Sequence, residues 1–186
     1  HEVEHNLLSR MIKKLGGSKL TDEMAVILSE KPFGVFKLKR AFDKANLYSV
    51  KICGVEGEKR HSRDEVDAVR HLIGSSLLTA YFGRDFASRL LTAHEHRTIG
   101  RLSAENYMDL LNNELGYSLG PQIPYITKTR WQSYAGGRKR RKVEYQVLNT
   151  SIEYFTELVF KQIEDGTLAV LESGSSLCAN SKMYPN

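Results

Sequence analysis

Residues 62–83 read SRDEVDAVRHLIGSSLLTAYFG, and the spacing within this stretch decides the class of the fold. Ser62 and Glu65 form an S-x-x-E capping box, in which each side chain satisfies a backbone N–H that a helix start leaves without a partner. A helix is therefore expected from Arg63, burying Val66, Val69, Ile73, Leu77 and Ala80 and ending at Gly83. A second helix follows at once, with Asp85 as its cap and Phe86, Leu90 and Ala93 inside, and runs out at Glu95. Ser103 caps a third, which carries Tyr107, Leu110, Leu111 and Leu115 and is closed by Gly116.

Helix signals continue upstream. Leu7, Leu8, Met11, Ile12 and Leu15 recur at helical spacing and stop at Gly16-Gly17, and Thr21 caps a short helix carrying Met24, Ile27 and Leu28. Phe33, Phe36, Leu38 and Phe42 mark an amphipathic turn or short helix, and Leu47 to Val55 alternates enough to be a short strand. Residues 1–50 thus read as an N-terminal helical extension. Downstream, Pro121, Pro124, Gly136 and Gly137 punctuate a hairpin or long loop that includes Trp131 to Tyr134 and Val143 to Leu148. Ile152, Phe155, Val159, Phe160 and Ile163 form a last helix ending at Gly166, and the Ser/Gly/Asn-rich tail from Ser173 is loosely held. The expected fold is mainly α (α+β), a single domain over 1–186 with one small β element.

Composition excludes several classes. With 41% hydrophobic and 26% charged residues the chain is neither disordered nor fibrous, and its 186 residues suffice for a core without metal staples. No window approaches the ~18 uninterrupted apolar residues of a spanning helix. The 27 basic and 22 acidic residues differ by the five of the run Arg138-Lys139-Arg140-Arg141-Lys142, so the rest of the chain is neutral. A nucleic-acid binder spreads cations over a whole face, so no nucleic-acid partner is expected; the run reads as a solvated loop for peripheral contact with an anionic envelope. Cys53 and Cys178 form no CxxC and are either two thiols or one disulfide.

Three clusters can carry chemistry. His94-Glu95-His96 closes the second helix at the rim of the packed bundle; partial burial disfavours an ionised carboxylate, which is what a general acid needs. Asp109, Asn112 and Asn113 share a face of the third helix and offer donors and acceptors suited to sugar hydroxyls. Arg70-His71 stands within an apolar helix, so Arg70 either snorkels to solvent or takes Glu95 or Asp109 as partner. A zinc site on His71, His94 and Glu95 is opposed by spacing: His94 and His96 point to nearly opposite sides, and no HExxH is present. No metal and no cofactor are expected.

Arg70-His71, then Ala93-His94-Glu95, then Met108-Asp109-Leu110-Leu111-Asn112-Asn113-Glu114-Leu115-Gly116 resemble an RH…AHE…MDLxNNxxG signature in a divergent branch of the lysozyme superfamily; the closer resemblance, to lysozymes acting on deacetylated peptidoglycan, would imply selectivity for deacetylated glycan. The likeness runs from about Asp64 to Gly116. It implies a glycosidase with Glu95 as general acid at the end of a core helix, facing a small β region across a sugar cleft. It also implies a second carboxylate, for which Glu114, beside the Asn pair, is preferred to Glu105. Tyr107, Asp109, Asn112, Asn113 and Tyr125 would bind substrate, Tyr117 and Trp131 would add stacking faces, and Arg70 and His71 would support the site. Glu95-His96 replaces the Glu-Ser pair of lytic transglycosylases, leaving hydrolysed and anhydro products both open.

The expected function is cleavage of the glycan strands of peptidoglycan by a monomer, secreted or periplasmic. The rivals are a non-enzymatic module binding nucleic acid or an anionic envelope polymer, and a metal-dependent hydrolase on His71, His94 and Glu95.

Overall fold

The computed structural model describes residues 7–17, 20–54, 65–95, 104–134, 136, 137 and 139–170. Seven α-helices and one two-stranded antiparallel sheet occupy these residues: α1 (Leu7–Gly16), α2 (Asp22–Leu28), α3 (Gly34–Ile52), α4 (Glu65–Phe82), α5 (Arg84–Glu95), α6 (Ala104–Leu119), β1 (Tyr125–Tyr134), β2 (Lys139–Leu148) and α7 (Ile152–Glu164). The fold is therefore mainly helical α+β, as the sequence indicates. No described helix is long and apolar enough to cross a membrane.

Helix α4 is the central element. Val66, Val69, Leu72, Ile73, Leu77 and Leu78 are all fully buried, so its apolar residues face neighbours on every side. It packs against α3, α5 and α6. Gly83, at φ 86°, turns the chain sharply into α5, a conformation that costs glycine little. Helix α5 then runs back along α4 and brings Glu95 towards the N-terminal half of that helix. Its last turn is tied down by Thr21, whose Oγ1 donates to the Ala93 carbonyl while capping α2 through the Met24 N–H.

Helix α6 approaches α4 with no room to spare. A Cβ on Gly116 would stand 1.8 Å from Ser75 Oγ and 2.9 Å from the Leu72 carbonyl. Gly116 thus lies inside α6, which continues to Leu119 where an end at Gly116 was expected. His71 meets Asp109 and Asn113, and Ser75 meets Gly116, so the two helices run in the same direction. The face turned inwards is polar and small: Asp109, Asn112, Asn113 and Gly116 are buried while Tyr107, Leu110 and Leu111 are exposed. Of the apolar residues that mark α6 in the sequence, Leu115 is partly buried against the core, while Tyr107, Leu110 and Leu111 lie outside.

Residues 47–52, expected as part of a strand, are the end of the 19-residue α3. The apolar alternation there is real, but Leu38, Ala41, Ala45, Ser49 and Ile52 recur every three or four residues and form the buried stripe. Because α3 lies along α4, the N-terminal helices belong to the main core and are no appendage. Helix α5 begins at Arg84, placing Asp85 in its first turn where it was expected as the cap. The hairpin is a β-ribbon, with Tyr125 opposite Leu148 at its base and Tyr134 opposite Lys139 near its tip. Lys139 to Lys142 are therefore strand residues, exposed as expected but in no loop. Cys53 is disulfide-bonded. Ser62 and Ser103, expected as caps, lie outside the described residues, as do His61, His96, Cys178 and the tail from Ser173.

Candidate functional site

The close approach of α4 and α6 drives several ionisable and amide groups together under the end of α5. Asp67 and His71 lie one turn apart on α4, and Asp109 and Asn113 one turn apart on α6, so two short polar ladders face each other. His71 is the hub. Its Nδ1 is 3.2 Å from Asn113 Oδ1 and 4.0 Å from Glu95 Oε1. Its Nε2 is 3.3 Å from Asp109 Oδ1 and 3.9 Å from Asp67 Oδ1. With a hydrogen on Nδ1 the ring donates to Asn113, and Nε2 is left within ion-pair distance of Asp109.

Electrostatics follow from burial. Withdrawal from water pushes the Asp109 carboxyl up from 3.8 to about 6; the His71 charge pulls the other way, and Asp67 and Glu95 add to the rise. A buried carboxyl that holds its proton to near neutral pH, against an imidazole, is an acid–base pair poised for proton transfer. Arg70 has a carboxylate partner on its own helix. Its Nη1 donates to Asp67 Oδ1 at 2.6 Å, three residues back on the same helix. Asp67 thereby joins the cluster, although the sequence reading passed over it; its signal is the D-x-x-x-H spacing, which places Asp67 and His71 on one helix face.

Beside the cluster lies a cavity of about 290 Å³, walled by Phe42, Ala45 and Leu91 on its apolar side and by Asn46, Arg70, His71, His94 and Asn113 on its polar side. The His94 ring leans on Phe42, with ring centres 5.4 Å apart. Asn113 is 2% exposed, and its Nδ2 has no hydrogen-bond partner among the described residues. A buried amide N–H left in this way costs stability unless a bound acceptor satisfies it.

The structure brings Arg70, His71, Glu95, Asp109 and Asn113 together and separates the rest. Glu114 is corrected: adjacent residues on a helix do not share a face, and Glu114 turns outwards, where its carboxylate pairs with Arg84 at 2.7 Å. Arg84 and Glu95 open and close α5, about 16 Å apart along the axis at 1.5 Å per residue. Asn112 is also corrected from a substrate ligand to a clamp. It is fully buried, its Nδ2 donates to the Ala169 carbonyl at 2.8 Å, and the Ala169 N–H donates to its Oδ1 at 3.0 Å. Tyr107 and Tyr125 are exposed and have no contact with the cluster among the described interactions, and Tyr117 is buried, so it offers no stacking face. The side chain of Glu105 lies outside the described residues.

A metal group can be drawn from the same atoms. Asp67, His71 and Asp109 each offer a ligand atom, all within 4.8 Å of one another. This set shares only His71 with the expected His71, His94 and Glu95, and Arg70 already places a cation on Asp67.

The sequence model of a family described as "Domain of unknown function (DUF6973)" matches residues 25–136, more than half of the chain, and the chain belongs to that family. The matched segment contains every residue of the cluster and ends at the turn of the ribbon. No curated protein and no solved structure matches the chain.

Proposed function

We propose that this member of the DUF6973 family is a lysozyme-like glycoside hydrolase acting on the glycan strands of peptidoglycan. One observation carries the reading: Glu95 and Asp109 stand on the two nitrogens of a single imidazole. Their carboxyl oxygens are therefore no more than about 9.5 Å apart, within the range of paired carboxyl groups in glycosidases. Asp109 replaces Glu114 as the second carboxylate. Glu95, at the end of α5 where the resemblance calls for the acid, gives its proton to the glycosidic oxygen as the C–O bond breaks. Water adds to the anomeric carbon, and its proton passes to the His71–Asp109 pair. Asn113, with one amide edge on His71 and the other facing the cavity, orients the ring and offers a donor to a sugar oxygen. The disulfide at Cys53 supports an oxidising, extracytoplasmic location.

A turbidity assay on native and deacetylated cell walls tests the reading, with release of reducing ends as a second measure. Lysis that survives EDTA and is lost in Glu95→Gln and Asp109→Asn supports it. The grouping of Asp67, His71 and Asp109 favours a second reading, a metal-dependent hydrolase, under which EDTA abolishes lysis and added divalent metal restores it.

A further inference from the structure

The β-ribbon has no part in the cluster, yet it holds the densest charge of the chain. Residues opposite one another on antiparallel strands share a face. Near the tip, Trp131 and Ser133 therefore share one face with Lys142 and Arg140, and Gln132 and Tyr134 share the other with Arg141 and Lys139. All eight are exposed, and none is acidic. Four cations thus stand within about 10 Å along the ribbon, roughly one Debye length at 0.1 M salt. The ribbon's one acid, Glu144, lies opposite Thr129. Trp131 is 68% exposed and Tyr134 47%.

We propose that the tip of this ribbon docks on an anionic phospholipid surface, with Trp131 and Tyr134 seated among the headgroups. Cations on both faces of the tip fit a plane of negative charge met end-on. A linear polyanion lying along the ribbon would use one face and leave the other two cations idle. Trp and Tyr each combine an apolar ring with a polar handle, the combination that settles at a bilayer interface, and Lys and Arg beside them attract anionic headgroups. The ribbon is held firmly at its base. The Asn149 N–H donates to the Pro124 carbonyl at 2.7 Å, and Lys44 and Tyr48 of α3 both donate to the Thr150 carbonyl, at 2.6 and 2.9 Å. The proposal does not rest on the glycosidase reading, because it is tested by binding alone.

Trp131 is the only tryptophan in the chain, so its emission reports directly on the tip. The full chain is mixed at low salt with vesicles of phosphatidylcholine alone, or with phosphatidylglycerol added, and followed by sedimentation and fluorescence. Binding to the anionic vesicles alone is expected, with a blue shift of Trp131 emission and loss of binding at high salt. Replacing Lys139, Arg140, Arg141 and Lys142 together by Gln should weaken binding by 10²-fold or more, at about fivefold per cation, with unchanged far-UV dichroism. Should that variant fail to fold, the blue shift and salt dependence of the wild-type chain decide alone. Equal partition to both vesicle types, or binding with no shift of Trp131, overturns the proposal. So does tight binding of a single-stranded oligonucleotide under conditions where the vesicles are not bound, which would assign the ribbon to nucleic acid.

Discussion

Asp109→Asn should stabilise the folded protein at neutral pH while impairing the activity proposed for it. Burial lifts the Asp109 carboxyl from 3.8 to about 6, so the folded state binds this proton more tightly than the unfolded chain does. The sign follows: the stability contributed by the proton is fully present below the unfolded value and is lost as pH rises through the folded one. Roughly two pH units at 1.36 kcal/mol each make the cost of the ionised carboxylate at pH 7 at most about 3 kcal/mol. Asn removes that charge and keeps the size and shape of the side chain beside His71 Nε2. Removing the carboxylate also takes a partner from a charged His71, so the net gain lies below the ceiling. Urea unfolding of both proteins at pH 4, 5, 6 and 7, with the disulfide intact, would show equal stabilities near pH 4. A gap in favour of Asp109→Asn should open between pH 4 and pH 7, amounting to several degrees in Tm for a chain of this size. A constant offset across this range, or a variant less stable at pH 7 than the wild type, would refute the assignment of the buried charge to Asp109.

Three further outcomes are expected. Glu95→Gln should lower wall lysis by ~10²-fold or more, the scale of general acid catalysis, while Glu114→Gln, whose partner is the exposed Arg84, should leave lysis nearly unchanged; both are read by turbidity at matched concentrations. Asn112→Ala removes both hydrogen bonds to Ala169 and should cost about 1–3 kcal/mol in chemical denaturation, with earlier proteolysis near residue 169. Gly116→Ala places a methyl group against Ser75 and the Leu72 carbonyl, so α4 and α6 must separate; a loss of about 1–3 kcal/mol is expected, together with a weakened pH dependence from Asp109 as water enters the seam.

How much of this was legible in the sequence depended on whether burial and polarity agreed. In α4 they agree: Val66, Val69, Ile73 and Leu77 are both apolar and buried, and the helix is read correctly from its spacing. The cap at Thr21 is equally local, one hydroxyl meeting one N–H three residues on, and it too is found where the sequence puts it. Residues 47–52 fail because Leu47, Tyr48, Val50 and Ile52 mimic alternation, while the stripe that packs on α4 runs through the small residues Ala41, Ala45 and Ser49. Small side chains give a weak hydrophobic signal, yet they permit the closest helix contacts.

Helix α6 shows the same conflict in its strongest form, and there it marks the site. Tyr107, Leu110 and Leu111 are apolar yet lie outside, while the polar Asp109, Asn112 and Asn113 lie inside. Burying an aspartate and two asparagines in place of three apolar side chains is unfavourable unless each finds a partner. Asn112 finds the backbone of Ala169, Asn113 Oδ1 finds His71, and Asp109 lies within ion-pair distance of the same ring. What remains without a hydrogen bond among the described residues is the Asn113 Nδ2 beside the cavity and Oδ1 of the Asp109 carboxyl, a group held off its ordinary titration range. A helix folded only for stability would turn its leucines inwards. The two polar groups that packing leaves strained are therefore where a ligand has the most to gain, which is why the cluster around His71, and not the exposed Glu114, is the place to test for chemistry.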